Sequence, residues 1–135
     1  MTYFKSFLAG FLSTLLFHQS ALLLMGLLST TSFHAYSFEP TSPLGIPAVL
    51  STSFFAGLWG LVIWKMIERL PHKNQLIMAI ILGAILPTAV AFLIVLPLKG
   101  IEFKSAYIPF GLLLNGIWGF GLWFLVQAFN KLQRN

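Results

Sequence analysis

An all-α fold, a four-helix transmembrane bundle, follows from three observations. The 135-residue chain is 58% hydrophobic and only 8% charged, whereas a soluble domain carries roughly a quarter charged residues. Its apolar residues form four stretches, each close to the ~20 residues that cross a bilayer. Every charged residue lies between or outside those stretches.

The first helix is expected over about residues 7–28, after Lys5. Its apolar run is longer than a signal-peptide core and no Ala-x-Ala site follows, so a retained helix is expected. The second runs over 46–64, with Pro47 just inside its start, where a missing N–H costs nothing, and Pro71 beyond its end. The third runs over 76–98, with Asn74 as its N-cap. The fourth runs over 108–129, with Pro109 at its start. The long connection, residues 29–45, has room for an interfacial segment around Phe33, Tyr36 and Phe38, because aromatic rings favour the headgroup level. Four spans leave no room for a soluble domain, so residues 1–135 form one transmembrane domain.

Lys5, Lys65, Arg69, Lys73, Lys131 and Arg134 fall on one side of such a bundle, and only Lys99 and Lys104 on the other. The positive-inside rule then places both termini in the cytoplasm, N-in/C-in. The net charge of +5 reads as this topology signal. The basic residues are too dispersed for a nucleic-acid footprint.

An internal repeat is visible. Gly57-Leu-Trp59-Gly60-Leu-Val-Ile-Trp64 and Gly116-Ile-Trp118-Gly119-Phe-Gly-Leu-Trp123 share Gly-x-Trp-Gly-x-x-x-Trp, and each follows an Ile-Pro start. Two parallel helical-hairpin repeats, as occur in transporters, would explain the match. Chance sharing of Gly and Trp would also do so, and the first and third helices show no clear match. Gly57, Gly60 and Trp64 share a face, as do Gly116, Gly119 and Trp123. Trp64, beside Lys65, is expected at the cytoplasmic interface, and Trp118 near mid-membrane as a packing residue.

Small or polar residues recur at every fourth position in each helix: Ser6, Gly10, Thr14, His18; Ala48, Thr52, Ala56, Gly60; Ala79, Gly83, Pro87, Ala91; Gly111, Asn115, Gly119. Such faces pack helices in lipid, so Gly10, Thr14, Gly57, Gly60, Gly116 and Gly119 are expected as helix-packing positions. At 1.5 Å per residue, His18 and Thr88 lie about 15 Å below the outer membrane surface, Asn115 about 10 Å and Thr52 about 9 Å. The outer half therefore collects the polar groups, and Gly and Ala are expected to line the inner half. Pro87 also displaces the carbonyl of Gly83, leaving either a simple kink or an exposed acceptor. The candidate polar intramembrane site is thus His18, Thr52, Gly83, Pro87, Thr88 and Asn115. An intramembrane histidine is a functional candidate by default. The alternative is a structural hydrogen bond from His18 to Asn115 or Thr52.

The absence of Cys and Asp excludes disulfides, thiolate metal sites and Cys nucleophiles. No catalytic constellation, metal-ligand cluster or cofactor motif is present, so no enzymatic activity, metal or cofactor is expected. Glu68 and His72 have the i,i+4 spacing of a local surface pair.

Several segments occur in order along nearly the whole chain: Ala9-Gly10-Phe11 with Phe17-His18-Gln19; Gly45-Ile46-Pro47-Ala48-Val49-Leu50; Gly57-Leu58-Trp59-Gly60; Gly83-Ala84 with Leu86-Pro87-Thr88; Pro97-Leu98-Lys99-Gly100; and Asn115-Gly116 with Trp118-Gly119. In this set the chain resembles a family of small uncharacterised bacterial inner-membrane proteins. The resemblance implies four helices and a bacterial inner (plasma) membrane. The family has no settled activity and lends no functional residues.

Three functions are compatible with the sequence. The first is a small permeation or carrier protein with a polar layer in the outer half. Four short helices enclose little space, so a pathway is expected to need a homo-oligomer. The second is a non-catalytic accessory or scaffold subunit packed against a larger membrane complex. The third, an enzyme using His18, is disfavoured by the scarcity of acids.

Overall fold

The computed structural model describes residues 2–28 and 34–135. It contains four helices long and apolar enough to cross a membrane: α1 (Thr2–Leu27), α2 (Ala48–Ile67), α3 (His72–Leu98) and α4 (Ile108–Arg134), the last preceded by a 3-10 turn, Ser105–Tyr107. A two-stranded hairpin, β1 (Pro40–Thr41) paired antiparallel with β2 (Ile46–Pro47), lies between α1 and α2. Both termini are at one end of the bundle, where Lys5 Nζ donates to Asn130 Oδ1 at 3.1 Å. That end is called the terminal end below, and the other the hairpin end.

The expected starts and stops shift for local reasons. Helix α1 begins at Thr2 because its first turn packs at the terminal end. There Lys65 Nζ donates to the Tyr3 hydroxyl at 2.9 Å and to Glu68 at 3.1 Å. Helix α2 begins two residues late because Ile46 and Pro47 are taken up by the hairpin. Its first N–H groups, at Ala48 and Val49, donate to the carbonyls of Glu39 and Ser37 instead of to a side-chain cap. Helix α3 begins at His72, directly after extended Pro71, so Asn74 falls inside the first turn and is not the N-cap. Helix α4 runs on to Arg134. Phe33 lies outside the described residues. The expected Glu68–His72 pair does not form: Glu68 bonds Lys65, and His72 packs its ring on Trp123, centroids 5.0 Å apart.

Packing is closest between α3 and α4 and between α1 and α2, and α1 also packs on α4. The fold is therefore two helical hairpins side by side. Glycines set both intra-hairpin crossings. A Cβ on Gly10 would meet the Ala56 carbonyl and Gly60 Cα, and one on Gly60 would meet the Ser6 carbonyl. In the second hairpin a Cβ on Gly83 would lie 2.9 Å from Gly119 Cα and 3.1 Å from the Asn115 carbonyl, and one on Gly119 would strike the Ala79 carbonyl. Position for position, Ser6 and Gly10 correspond to Ala79 and Gly83, and Ala56 and Gly60 to Asn115 and Gly119. The match that the sequence displays only for the second and fourth helices thus extends to the first and third.

The core lies toward the terminal end, built from Ile63, Trp64, Ile67, Leu122, Leu125 and Val126 around Ala9 and Ala79. Gly and Ala alone were expected in that half. Instead the glycine crossings draw the backbones together, and large aliphatic side chains fill the remaining space. Trp64 joins this core and is buried.

The helices α1 and α3 each carry a π-helical turn beyond the crossing, at Thr14–His18 and Ala91–Val95. In the first, Gln19 N–H bonds Thr14 O, five residues back, bypassing Leu15 O. The Tyr36 hydroxyl donates to that carbonyl at 2.7 Å, Tyr36 N–H donates to Gln19 Oε1 at 2.7 Å, and Ser20 Oγ lies 3.1 Å from the phenol oxygen. These bonds hold Tyr36 at φ +52°, a conformation uncommon for a bulky residue. Tyr36 therefore latches the long connection onto α1. Substituting Tyr36→Phe is expected to destabilise the fold by about 1–3 kcal/mol, since a partly buried carbonyl loses its partner. Amide hydrogen exchange around residues 14–20 should accelerate; unchanged exchange there would contradict the latch.

Candidate functional site

Between the two hairpins, on the hairpin side of the glycine crossings, lies a cavity of about 510 Å³. This is within the ~300–1,000 Å³ range of small-molecule sites. Helix α1 contributes Thr14 and His18 from its π turn, and α4 contributes Asn115 and Trp118. Helix α2 contributes Ser51, Thr52, Phe55, Ala56 and Trp59, and α3 contributes Pro87 and residues beyond it as far as Lys99. Thr41 and Ser42 of the β-hairpin close part of the hairpin end.

The lining repeats the symmetry of the fold. In the register set by the glycine crossings, Thr14 corresponds to Pro87, His18 to Ala91, Ala56 to Asn115 and Trp59 to Trp118. All eight border the cavity. The chemistry at these places is not symmetric. The wall formed by α1 and α4 carries Thr14, His18 and Asn115, while the corresponding places on α3 and α2 carry Pro87, Ala91 and Ala56.

Of the six residues expected at a polar site, the structure brings His18, Thr52, Pro87 and Asn115 to one cavity. Thr88 is buried behind it and accepts a hydrogen bond from Asn115 Nδ2 at 2.8 Å, which fixes the amide. Gly83 does not line the cavity. It lies below, in the α3–α4 crossing, where only hydrogen fits. The expected bond from His18 to Asn115 or Thr52 is not made. His18 Nδ1 is buried and has no hydrogen-bond partner among the described residues. His18 and Thr52 also border a second cavity of about 450 Å³, with Gln19, His34 and Ser37, so they stand in the partition between the two.

The sequence reading missed the floor. Trp118, 2% exposed, donates its Nε1–H to Gly10 O at 2.9 Å, and Ser13 Oγ donates to Trp118 O at 2.7 Å. This pair of bonds ties α4 to α1. The counterpart Trp59 borders the cavity without such a bond among the described residues. The duplicated Gly-x-Trp-Gly motif contained the signal: it placed both indoles at one level. The space exceeds what four short helices were expected to enclose, and one chain forms all of it. Among the described residues no group of three His, Asp or Glu could hold a metal ion.

No known protein family, curated protein or solved structure matches the chain.

Proposed function

We propose that the chain is a small permeation or carrier protein of a bacterial inner membrane, with both termini in the cytoplasm and its solute site in the cavity between the two hairpins. The observation that carries this reading is the origin of the cavity: equivalent positions of two parallel hairpins line it. Transporter sites lie at the junction of repeats, near the membrane midplane. The apolar core and the two indoles close the cavity toward the terminal end. Lys99, Thr41 and Ser42 mark its reach to the other end. In the proposed topology the chain is thus open outward and shut inward. The distribution of Lys and Arg supports that topology, and the proposed location follows the resemblance drawn from the sequence. The site needs no second copy, so a homo-oligomer would repeat the cavity instead of completing it.

The test is flux across proteoliposomes of purified protein, read for protons, glycerol and octanesulfonate. The parent protein should carry at least one of these. His18→Ala and Asn115→Ala should each lower the rate about tenfold or more, with helicity and elution volume unchanged. A parent without flux that co-purifies stoichiometrically with another membrane protein in mild detergent would overturn the carrier reading in favour of an accessory subunit.

A further inference from the structure

We infer that the solute is a single-chain amphiphile with an anionic head, and that it reaches the cavity sideways from the bilayer, between α2 and α3. This inference rests on the carrier reading and names its substrate class.

Three observations lead to it. The first is the polar asymmetry of the cavity. Polar groups come from α1 and α4 (Thr14, His18, Asn115) and from Ser51 and Thr52 of α2, whereas every residue that α3 contributes, Ala91 and Val95 among them, is apolar. A wholly polar solute would leave half the lining without a partner. A wholly apolar one would strand the buried His18 nitrogen, at a cost of roughly 1–3 kcal/mol.

The second observation is the opening. Helices α1 and α4 are joined at the cavity floor by the Trp118–Gly10 and Ser13–Trp118 bonds. The matching place between α2 and α3 has no such tie among the described residues, and cavity-lining residues of those helices are strongly exposed: Phe55 is 60% exposed and Leu98 83%. In a bilayer these side chains meet lipid tails. The apolar half of the cavity therefore adjoins hydrocarbon, and an alkyl chain can enter without crossing water.

The third is charge and size. Lys99 borders the cavity at the hairpin end, and no ion pair holds its ammonium among the described residues. A carboxylate, sulfonate or phosphate head would meet Lys99 and the hydrogen-bonding wall together, and charge-assisted bonds are the strong ones. At about 30 Å³ per water-sized group, the 510 Å³ volume holds about 17 groups, enough for a small head and most of one fatty chain whose end stays between α2 and α3, and falls short of a two-chain phospholipid.

Trp59 provides the readout, because its indole borders the cavity. Dibromostearate should be titrated into the protein in lipid nanodiscs above neutral pH, where its carboxyl is ionised, with tryptophan quenching followed. Saturable quenching is expected, shared between Trp59 and Trp118, and Trp59→Phe should reduce its amplitude without abolishing it. Ala91→Phe, which fills the cavity while keeping Trp59, should weaken binding at least about tenfold, with helicity and elution volume as in the parent. Lys99→Gln should weaken binding of the acid about tenfold but not that of its methyl ester, as expected for loss of one charge-assisted contact. Quenching that rises only with bulk partitioning, equal in the parent and Ala91→Phe proteins, means tail contact at the protein surface and overturns the inference. His18-dependent glycerol flux without saturable dibromostearate binding would overturn it too and leave the carrier reading standing. Saturable binding with no flux of any probe would uphold the amphiphile site and overturn the carrier reading.

Discussion

Gly119→Val is expected to abolish the folded state in detergent, and Gly119→Ala to lower its stability by about 1–3 kcal/mol, the usual cost of overpacking a tight contact. The Gly119 hydrogen faces the Ala79 carbonyl, and Ile80 Cα is also within reach of an added Cβ, at 3.2 Å. These are backbone atoms, which no rotamer change can move aside. Relief requires separating α3 from α4, the most closely packed pair of helices, and with them the Gly83 contact and the core above Ala79. Gly26→Ala is the control. Among the described residues nothing lies within 4 Å of its added Cβ, so the higher helix propensity of Ala should leave stability unchanged or raise it by less than ~1 kcal/mol. Thermal unfolding of the purified proteins checks both. Equal midpoints for Gly119→Ala and Gly26→Ala would refute the close crossing.

Trp118→Ala is expected to cost about 3–5 kcal/mol, the range for removing a large buried ring. Two losses combine. The ring leaves a void at the cavity floor, and Gly10 O loses the Nε1–H donor 2.9 Å away. Trp118→Phe separates them, because it keeps most of the ring and removes only the donor. Its cost should be about 1–2 kcal/mol. Trp59→Phe, at the corresponding place in the other hairpin, breaks no such bond and should be close to neutral. A similar cost for Trp59→Phe and Trp118→Phe would show that the α1–α4 tie contributes little. The same unfolding assay settles the comparison.

The sequence made the four helices legible because a bilayer-length apolar run bounded by charge and proline has few other outcomes. Its errors lie where the partner is distant in sequence. Ile46 and Pro47 leave the second helix because Pro40 and Thr41 pair with them, and nothing local to Ile46 announces that. Tyr36 turns inward because a π turn in α1 frees Leu15 O, an event set by how α1 meets its neighbours. Depth arithmetic brought His18, Thr52, Thr88 and Asn115 to the outer half; the cavity joins His18, Thr52 and Asn115, while Thr88 lies behind it, bonded to Asn115. Pro87 and Gly83 entered together through the displaced carbonyl, yet Pro87 lines the cavity and Gly83, one turn away on the same stripe, belongs to the crossing. Trp118 was read as a packing residue by type, although its repeat equivalence to Trp59 already placed both indoles at one floor.

The π turn of α1 also resolves a problem of phase. Residues four apart on an ideal α-helix are about 40° out of step, so Ser6, Gly10, Thr14 and His18 should wind away from one another. Inserting one wider turn at Thr14–His18 holds back the angular advance just where the drift would carry His18 off the cavity. The helix thus works as a vernier. Its first half is indexed to the glycine crossing and its second to the cavity, and the single extra residue between them sets their relative rotation.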